Sequence, residues 1–282
     1  MLRQAALLAP RDCNDMPFVE RDGYRLYYET HGQGFPLVLI RGLGSNLEHW
    51  YEQVPVFSRD YRVIVFNNRG IGTSGAPALP WSIRDMAEDA AAVIQAVAGA
   101  RAHVMGISMG GMIAQELALG WPELVASLVP TATHCGGAHK VLPTAETMEL
   151  FDKLVYGKTF QEQLEGRKAL FSQTTLDEHP DILEHYAQVA AAYACPPEVM
   201  QGQWQAIANF DTYERLPNIT APTLVLAGAD DRLVPQGNAE ILAQRIPGAQ
   251  LAVIPQAGHQ LVIEQPQAVN AAVLKFLATV PA

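Results

Sequence analysis

The stretch His103-Val104-Met105-Gly106-Ile107-Ser108-Met109-Gly110 decides the fold that this sequence predicts. Its first residues form a short apolar run typical of a buried strand, and apolar residues recur at helical spacing over 109–119 immediately afterwards. Ser108 therefore stands at a tight turn between a strand and a helix, where Gly106 and Gly110 leave room for neighbouring chains. The stretch predicts a serine that is presented at the carboxyl end of a strand.

Short runs rich in Val, Leu and Ile recur along the chain at residues 37–40, 63–66, 103–107, 124–130, 223–227 and 251–254. Runs of this length are typical of parallel strands that are covered on both faces. Segments with helical spacing separate them at 85–98, 109–119 and 239–246. Before the first run, Asp22-Gly23 predicts a hairpin between 18–20 and 25–29. The alternation predicts an α/β fold with a doubly wound, mostly parallel sheet.

The alternation stops between about residue 134 and residue 216, where helical spacing recurs without a convincing strand. The helical patterns cover 146–156, 160–171, 181–192 and 198–210. We therefore expect a helical cap at 135–216, inserted into a core built from 17–134 and 217–282.

The composition excludes several classes of protein. The 282 residues are 49% hydrophobic and 17% charged, which suits a large buried core. A net charge of −10 argues against a basic surface that binds the phosphates of a nucleic acid, so we expect no nucleic-acid partner. No apolar run approaches the roughly 18 residues that span a bilayer, and Arg11 and Asp12 interrupt the apolar start of the chain too early for a signal peptide.

The cysteines Cys13, Cys135 and Cys195 are spaced too widely for a disulfide framework or a metal site. This spacing fits a reducing compartment. We expect a cytoplasmic monomer or homodimer without membrane attachment, metal or organic cofactor.

Two further strand ends carry the groups that an active serine requires, which are a base and an acid that orients it. Asp230 and Asp231 follow the run at 223–227, and His259 follows the last run. The carboxyl ends of parallel strands share one edge of a sheet, so these side chains can converge on Ser108.

Together these motifs resemble the α/β-hydrolase superfamily over nearly the whole chain. The matching patterns are G-x-S-x-G around Ser108, G-x-x-D…P from Gly228 to Pro235, and G-H…E-x-P from Gly258 to Pro266. The resemblance implies that Ser108 is the nucleophile, Asp231 the orienting acid and His259 the general base. Asp231 has the spacing of the family pattern, and Asp230 is the alternative acid.

The resemblance also implies an oxyanion hole, formed by the backbone N–H groups of Met109 and Leu43. Leu43 belongs to Arg41-Gly42-Leu43-Gly44, where the family usually has H-G-x-G. A plain glycine turn is the alternative for this segment. Arg41 replaces the usual histidine, and it could pair with a substrate carboxylate or with an acidic neighbour.

Other candidates concern the substrate pocket. His134 follows a predicted strand and Trp204 belongs to the predicted cap, so both are candidates for an apolar pocket. Packing within the cap is the alternative for Trp204. The loop from Asn67 to Ser74 departs from the family pattern at its first residue, and we expect it to be structural.

The leading hypothesis is a carboxylesterase-like serine hydrolase that cleaves a small, apolar carboxylic ester or lactone through an acyl-serine intermediate. The alternatives are a C–C hydrolase of ring-cleavage products, a cofactor-free haloperoxidase or perhydrolase, and a non-enzymatic small-molecule receptor. Haloalkane dehalogenation is disfavoured because it requires a carboxylate at the position of Ser108.

Overall fold

The computed structural model describes residues 16–193 and 195–281, and within them an eight-stranded sheet forms the centre of the molecule. The strands are β1 Phe18–Arg21, β2 Tyr24–His31, β3 Pro36–Ile40, β4 Arg62–Phe66, β5 Ala102–Ile107, β6 Val125–Thr131, β7 Leu224–Gly228 and β8 Gln250–Ile254. Their order across the sheet is β1-β2-β4-β3-β5-β6-β7-β8. The predicted hairpin forms β1 and β2, β2 pairs antiparallel with β4, and β3 to β8 are parallel.

Helices cover both faces of the sheet. Their bounds are α1 Val54–Phe57, α2 Ile83–Val93, α3 Met109–Gly120, α4 Ala145–Tyr156, α5 Phe160–Arg167, α6 Gln173–Glu178, α7 Pro180–Ala192, α8 Pro197–Ala208, α9 Gly237–Arg245, α10 Leu261–Glu264 and α11 Pro266–Leu277. Apolar residues of α2, α3 and α9 pack into a core on one face, and those of α1, α10 and α11 pack on the other. The predicted doubly wound α/β fold is confirmed.

Several elements differ in detail from their predictions. The strand predicted at 251–254 to be covered on both faces is the outermost strand β8, in which Leu251 is 38% exposed. The helix predicted over 160–171 ends at Arg167 and passes into a 3-10 turn. The short helix α6 follows it, where the sequence pattern predicts no helix.

The segment between β6 and β7, here called the helical insertion (residues 135–216), carries α4 to α8. Its two ends meet through an antiparallel bridge between Gly136 and Asp211. It also contacts the loop after β3, where Gln203 Oε1 accepts a hydrogen bond of 2.9 Å from Gly44 N. The helical insertion therefore lies over the carboxyl ends of the central strands, where the sequence predicts the site.

Residues 1–15 lie outside the described residues, so the expectations for Arg11, Asp12 and Cys13 are not addressed. Cys135 and Cys195 are free thiols. In the described part of the chain, no helix combines the length and the apolar character needed to cross a bilayer.

Two glycines of α3 test how tightly the turn at Ser108 is packed. A Cβ on Gly110 would overlap the backbone oxygens of Ile40 and Arg41, whereas a Cβ on Gly120 would meet only the Arg84 guanidinium, no closer than 3.5 Å. Gly110→Ala is expected to lower the free energy of unfolding by about 1–3 kcal/mol, because overpacking outweighs the better helix propensity of alanine.

Gly120→Ala is the matched control, and it should leave the free energy of unfolding unchanged or raise it. Urea unfolding followed by circular dichroism measures both variants. Equal free energies for the two would contradict the packing argument.

Candidate active site

Ser108 lies between β5 and α3 in a backbone conformation that residues other than glycine rarely adopt. Its φ is 57° and its ψ is −122°. Such a conformation costs about 1–3 kcal/mol and is often found at functional sites. Ser108 N donates a hydrogen bond of 2.9 Å to Thr131 O, and Thr133 Oγ1 donates one of 2.8 Å to Ser108 O. The end of β6 therefore holds the strained turn in place.

His259 and Asp231 form a buried pair at the ends of β8 and β7. His259 Nδ1 donates a hydrogen bond of 2.9 Å to Asp231 Oδ2, since a carboxylate can only accept. Asp231 Oδ1 accepts two more, from Leu233 N at 3.0 Å and Val234 N at 2.8 Å. Of the two candidate acids, Asp231 is therefore the partner of His259, and Asp230 is exposed.

Ser108 and His259 line the same cavity, so the structure brings the three candidate residues to one edge of the sheet. The described residues show no direct hydrogen bond between the two side chains. In free enzymes, such contacts between nucleophile and base are commonly long and shorten when substrate binds.

Glu264 supports the loop that carries His259. Its Oε1 accepts a hydrogen bond of 2.9 Å from Gly258 N. Its Oε2 accepts from Ser172 N at 2.8 Å and from Thr175 Oγ1 at 2.7 Å. Burial raises the pKa of Glu264, while these donors favour its carboxylate. The motif match contains Glu264, but its role as a support for His259 appears only in the folded chain.

The two predicted oxyanion donors flank Ser108. Met109 is the first residue of α3, where helix geometry leaves the N–H without an internal partner. Leu43 belongs to a turn closed by a hydrogen bond from Ser45 N to Gly42 O. A Cβ on Gly42 would lie 3.0 Å from Ser108 Cβ and 3.5 Å from Ser108 Oγ, so this segment passes directly beside the serine.

Two cavities meet at Ser108, and both are also lined by Leu43, Phe151 and Leu233. The smaller, here called the arginine cavity, has a volume of about 50 Å³ and is further lined by Arg41, His49, Arg167, Tyr186, His259 and Gln260. The larger, here called the apolar cavity, has a volume of about 260 Å³ and is further lined by Met112, His134, Lys140, Met148, Trp204 and Ile207.

The three predicted pocket residues are divided between these cavities. Arg41 lines the arginine cavity, and Trp204 and His134 line the apolar cavity. Trp204 packs against Phe151 with ring centroids 5.5 Å apart. His134 Nδ1 accepts a hydrogen bond of 3.0 Å from Gly136 N.

The loop from Asn67 to Ser74 bonds to the protein's own backbone and lines neither cavity. Asn68 Nδ2 donates a hydrogen bond of 2.9 Å to Arg41 O, and Asn67 Oδ1 accepts one of 2.8 Å from Leu47 N. The loop therefore supports the segment beside Ser108, in agreement with the structural role predicted for it.

Known proteins that resemble this chain show its family. A family model described as the alpha/beta hydrolase fold matches residues 36–266. RutD of Azorhizobium caulinodans, named for carbamate hydrolysis, is 31% identical over 262 residues, which are 93% of this chain and 98% of that protein. BpoC of Mycobacterium tuberculosis, named for non-heme bromoperoxidase activity, is 35% identical over 264 residues, which are 91% of this chain and 99% of that protein.

A solved structure adds a third relative. Est816, described as an enzyme that degrades N-acyl homoserine lactones, is 31% identical and superposes with a TM-score of 0.79 over 92% of this chain and 100% of that chain. The chain belongs to the α/β hydrolase family, as its motifs indicate. Hydrolysis is the class of activity that this membership supports.

Glu264→Gln tests the support of the His259 loop. A glutamine offers one acceptor oxygen instead of two, so a buried donor loses its partner at a cost of about 1–3 kcal/mol. We expect the free energy of unfolding to fall by that amount and kcat to fall more than KM changes. Glu240→Gln, at an exposed position of α9, is the control. An unchanged free energy of unfolding in Glu264→Gln would contradict the assignment.

His134 gives the stability of the protein a pH dependence. Burial lowers the pKa of His134 from 6.5 to about 4. Between these values the unfolded chain binds more protons than the folded chain, so the free energy of unfolding decreases as the pH falls.

His134→Asn removes this titration and keeps an acceptor for Gly136 N. Between pH 6.5 and pH 4 the variant should lose about 1–3 kcal/mol less stability than the unaltered protein. Urea unfolding across this range measures the difference, and parallel pH profiles would argue against a neutral His134 in the folded protein.

Proposed function

We propose that the protein hydrolyses a small, largely apolar carboxylic ester or lactone through an acyl-enzyme formed on Ser108. The observation that carries this proposal is the buried hydrogen bond of 2.9 Å from His259 Nδ1 to Asp231 Oδ2, beside the cavity that Ser108 lines. With the proton on Nδ1, His259 Nε2 keeps a lone pair that can accept the proton of Ser108 Oγ.

The reaction begins when Ser108 Oγ attacks the carbonyl carbon and passes its proton to His259 Nε2. Asp231 stabilises the imidazolium that forms. His259 then donates this proton to the leaving oxygen, and the alcohol departs from the acyl-serine. A water molecule, deprotonated by His259, attacks the acyl-serine, and His259 then returns this proton to Ser108 Oγ as the acid is released.

Charge stabilisation comes from the turn that presents Ser108. The N–H groups of Leu43 and Met109 donate to the oxyanion of each tetrahedral intermediate, and removal of one such donor typically slows catalysis about 10²–10³-fold. The apolar cavity, with a volume of about 260 Å³, accommodates the apolar part of the substrate.

The names of the relatives support variants of the same chemistry. Est816 supports a lactone, in which the leaving alcohol remains attached to the acyl group. The name of RutD supports a carbamate substrate. The name of BpoC supports peroxide in place of water as the acceptor of the acyl group. All of these reactions pass through Ser108, so one substitution tests them together.

Ser108→Ala is expected to lower kcat/KM for p-nitrophenyl butanoate by at least about 10³-fold, because the acyl-enzyme cannot form. Intact-mass spectrometry of the unaltered protein during turnover should show an added butanoyl group that the variant lacks. Ser58→Ala, at the end of α1 and in the lining of neither cavity, is the matched control.

The same pair of variants is then assayed with a γ-lactone, a carbamate ester and a dienoate product of ring cleavage. Turnover of the dienoate alone would favour C–C hydrolysis. Turnover that persists in Ser108→Ala, or a ligand that binds tightly and is released unchanged, would refute the proposed function.

A further inference from the structure

Arg41 is a buried cation without an acidic partner among the described residues. Its side chain is 1% exposed and packs with Cζ 4.9 Å from the Trp50 ring centroid. Nη2 donates a hydrogen bond of 3.0 Å to the neutral amide oxygen of Gln260, whereas Nε and Nη1 have no hydrogen-bond partner. Buried charges are normally paired, because burial removes the water that would otherwise stabilise them.

Arg167 brings a second guanidinium to the same cavity from the last residue of α5. Its Nη1 is buried and has no hydrogen-bond partner. Both cations act on His49. Burial, and then the positive charges of Arg41 and Arg167, hold the pKa of His49 well below its usual value. His49 is consequently neutral and does not add a third charge.

No negative charge of the described protein balances these arginines. Among the residues that the structure describes, those that line the arginine cavity include no aspartate or glutamate. Tyr186 and Gln260 offer only neutral groups, and Asp231 has its oxygens engaged by His259 and two backbone N–H groups. Of the two partners that the sequence allows for Arg41, the described residues supply no acidic neighbour, and an external anion is the partner that we pursue.

The size and position of the cavity limit this anion. A water-sized group needs about 10–15 Å³ of such volume, so a cavity of about 50 Å³ holds a carboxylate with a short arm. The cavity opens at Ser108, and Arg41 directly precedes Gly42, which packs against the serine. The planar guanidinium group matches the two oxygens of a carboxylate.

We infer that the arginine cavity binds a carboxylate of the substrate through Arg41 and Arg167, while the apolar remainder occupies the apolar cavity. This inference rests on the proposed function and makes it narrower. The substrate is then an anionic ester or lactone with a carboxylate a few bonds from the scissile carbonyl, and a neutral ester is a poor surrogate.

Pairs of matched substrates test the inference on the unaltered protein. Monohexyl succinate carries the carboxylate on its acyl part, and carboxymethyl hexanoate carries it on its alcohol part. Each is compared with the primary amide that replaces its carboxylate, by pH-stat titration of the acid released. We expect kcat/KM for the anionic member of at least one pair to exceed that of its amide by about 10- to 100-fold, as for a hydrogen bond to a charged group.

Variants then test whether the two arginines cause the preference for the anionic ester over its amide. In Arg41→Gln, the ratio of kcat/KM for the anionic ester to that for its amide should fall about 10- to 100-fold, and in Arg167→Gln it should also fall. Arg41→Lys should restore part of it. The matched control is Arg84→Gln, since Arg84 packs over Trp121 at 5.3 Å in the same manner as Arg41 over Trp50 but is exposed and lines neither cavity.

A binding measurement separates this inference from the proposed function. Glutarate should raise the Tm of Ser108→Ala, and pentanamide should not; Arg41→Gln and Arg167→Gln should abolish the effect of glutarate. Loss of turnover in Ser108→Ala with no preference for either anionic ester and no effect of glutarate would overturn the inference and leave the proposed function intact. Stabilisation by glutarate, together with turnover that survives in Ser108→Ala, would support the anion site and refute the proposed function. Should Arg41→Gln fail to fold, Arg167→Gln and the substrate pairs still decide the question.

Discussion

The close contact between the end of β3 and the first turn of α3 is the constraint on which the site depends. Gly110 packs directly against the backbone oxygens of Ile40 and Arg41, and Gly42 packs against Ser108. These contacts hold the strained turn and set the segment from Arg41 to Gly44 beside the serine. Asn68 Nδ2 also donates a hydrogen bond to Arg41 O, which fixes the backbone from which the Arg41 side chain extends. The candidate nucleophile, the candidate oxyanion donors and the proposed anion site thus share one backbone arrangement.

The fold and the candidate triad could be predicted because both follow from local patterns. Apolar runs mark the strands, and the carboxyl ends of parallel strands meet at one edge whatever the details of packing. Ser108, Asp231 and His259 therefore had to lie close together. The resemblance to the family pattern that begins at Gly228 favours Asp231 over Asp230, and the hydrogen bond to His259 agrees with it.

The rest depends on tertiary contacts that local patterns do not contain. Apolar spacing continues past Arg167 to Phe171, yet the backbone becomes extended there because Ser172 caps α6 and bonds to Glu264. The lack of an acidic partner for Arg41 among the described residues could not be predicted from sequence either. A sequence shows which acids exist, but only the folded chain shows that those described lie away from this guanidinium.

The carboxylate of Glu264 joins two parts of the chain that serve different purposes. One oxygen holds the turn before His259, and the other holds Ser172 and Thr175 at the start of α6 in the helical insertion. Substitutions that adapt the insertion to a new substrate are consequently constrained at this point, since a displaced α6 would also displace the loop of His259, the candidate base. We expect changes of specificity to spare the beginning of α6 and to fall on other positions of the insertion that line the cavities, such as Phe151 of α4, Tyr186 of α7 and Trp204 of α8.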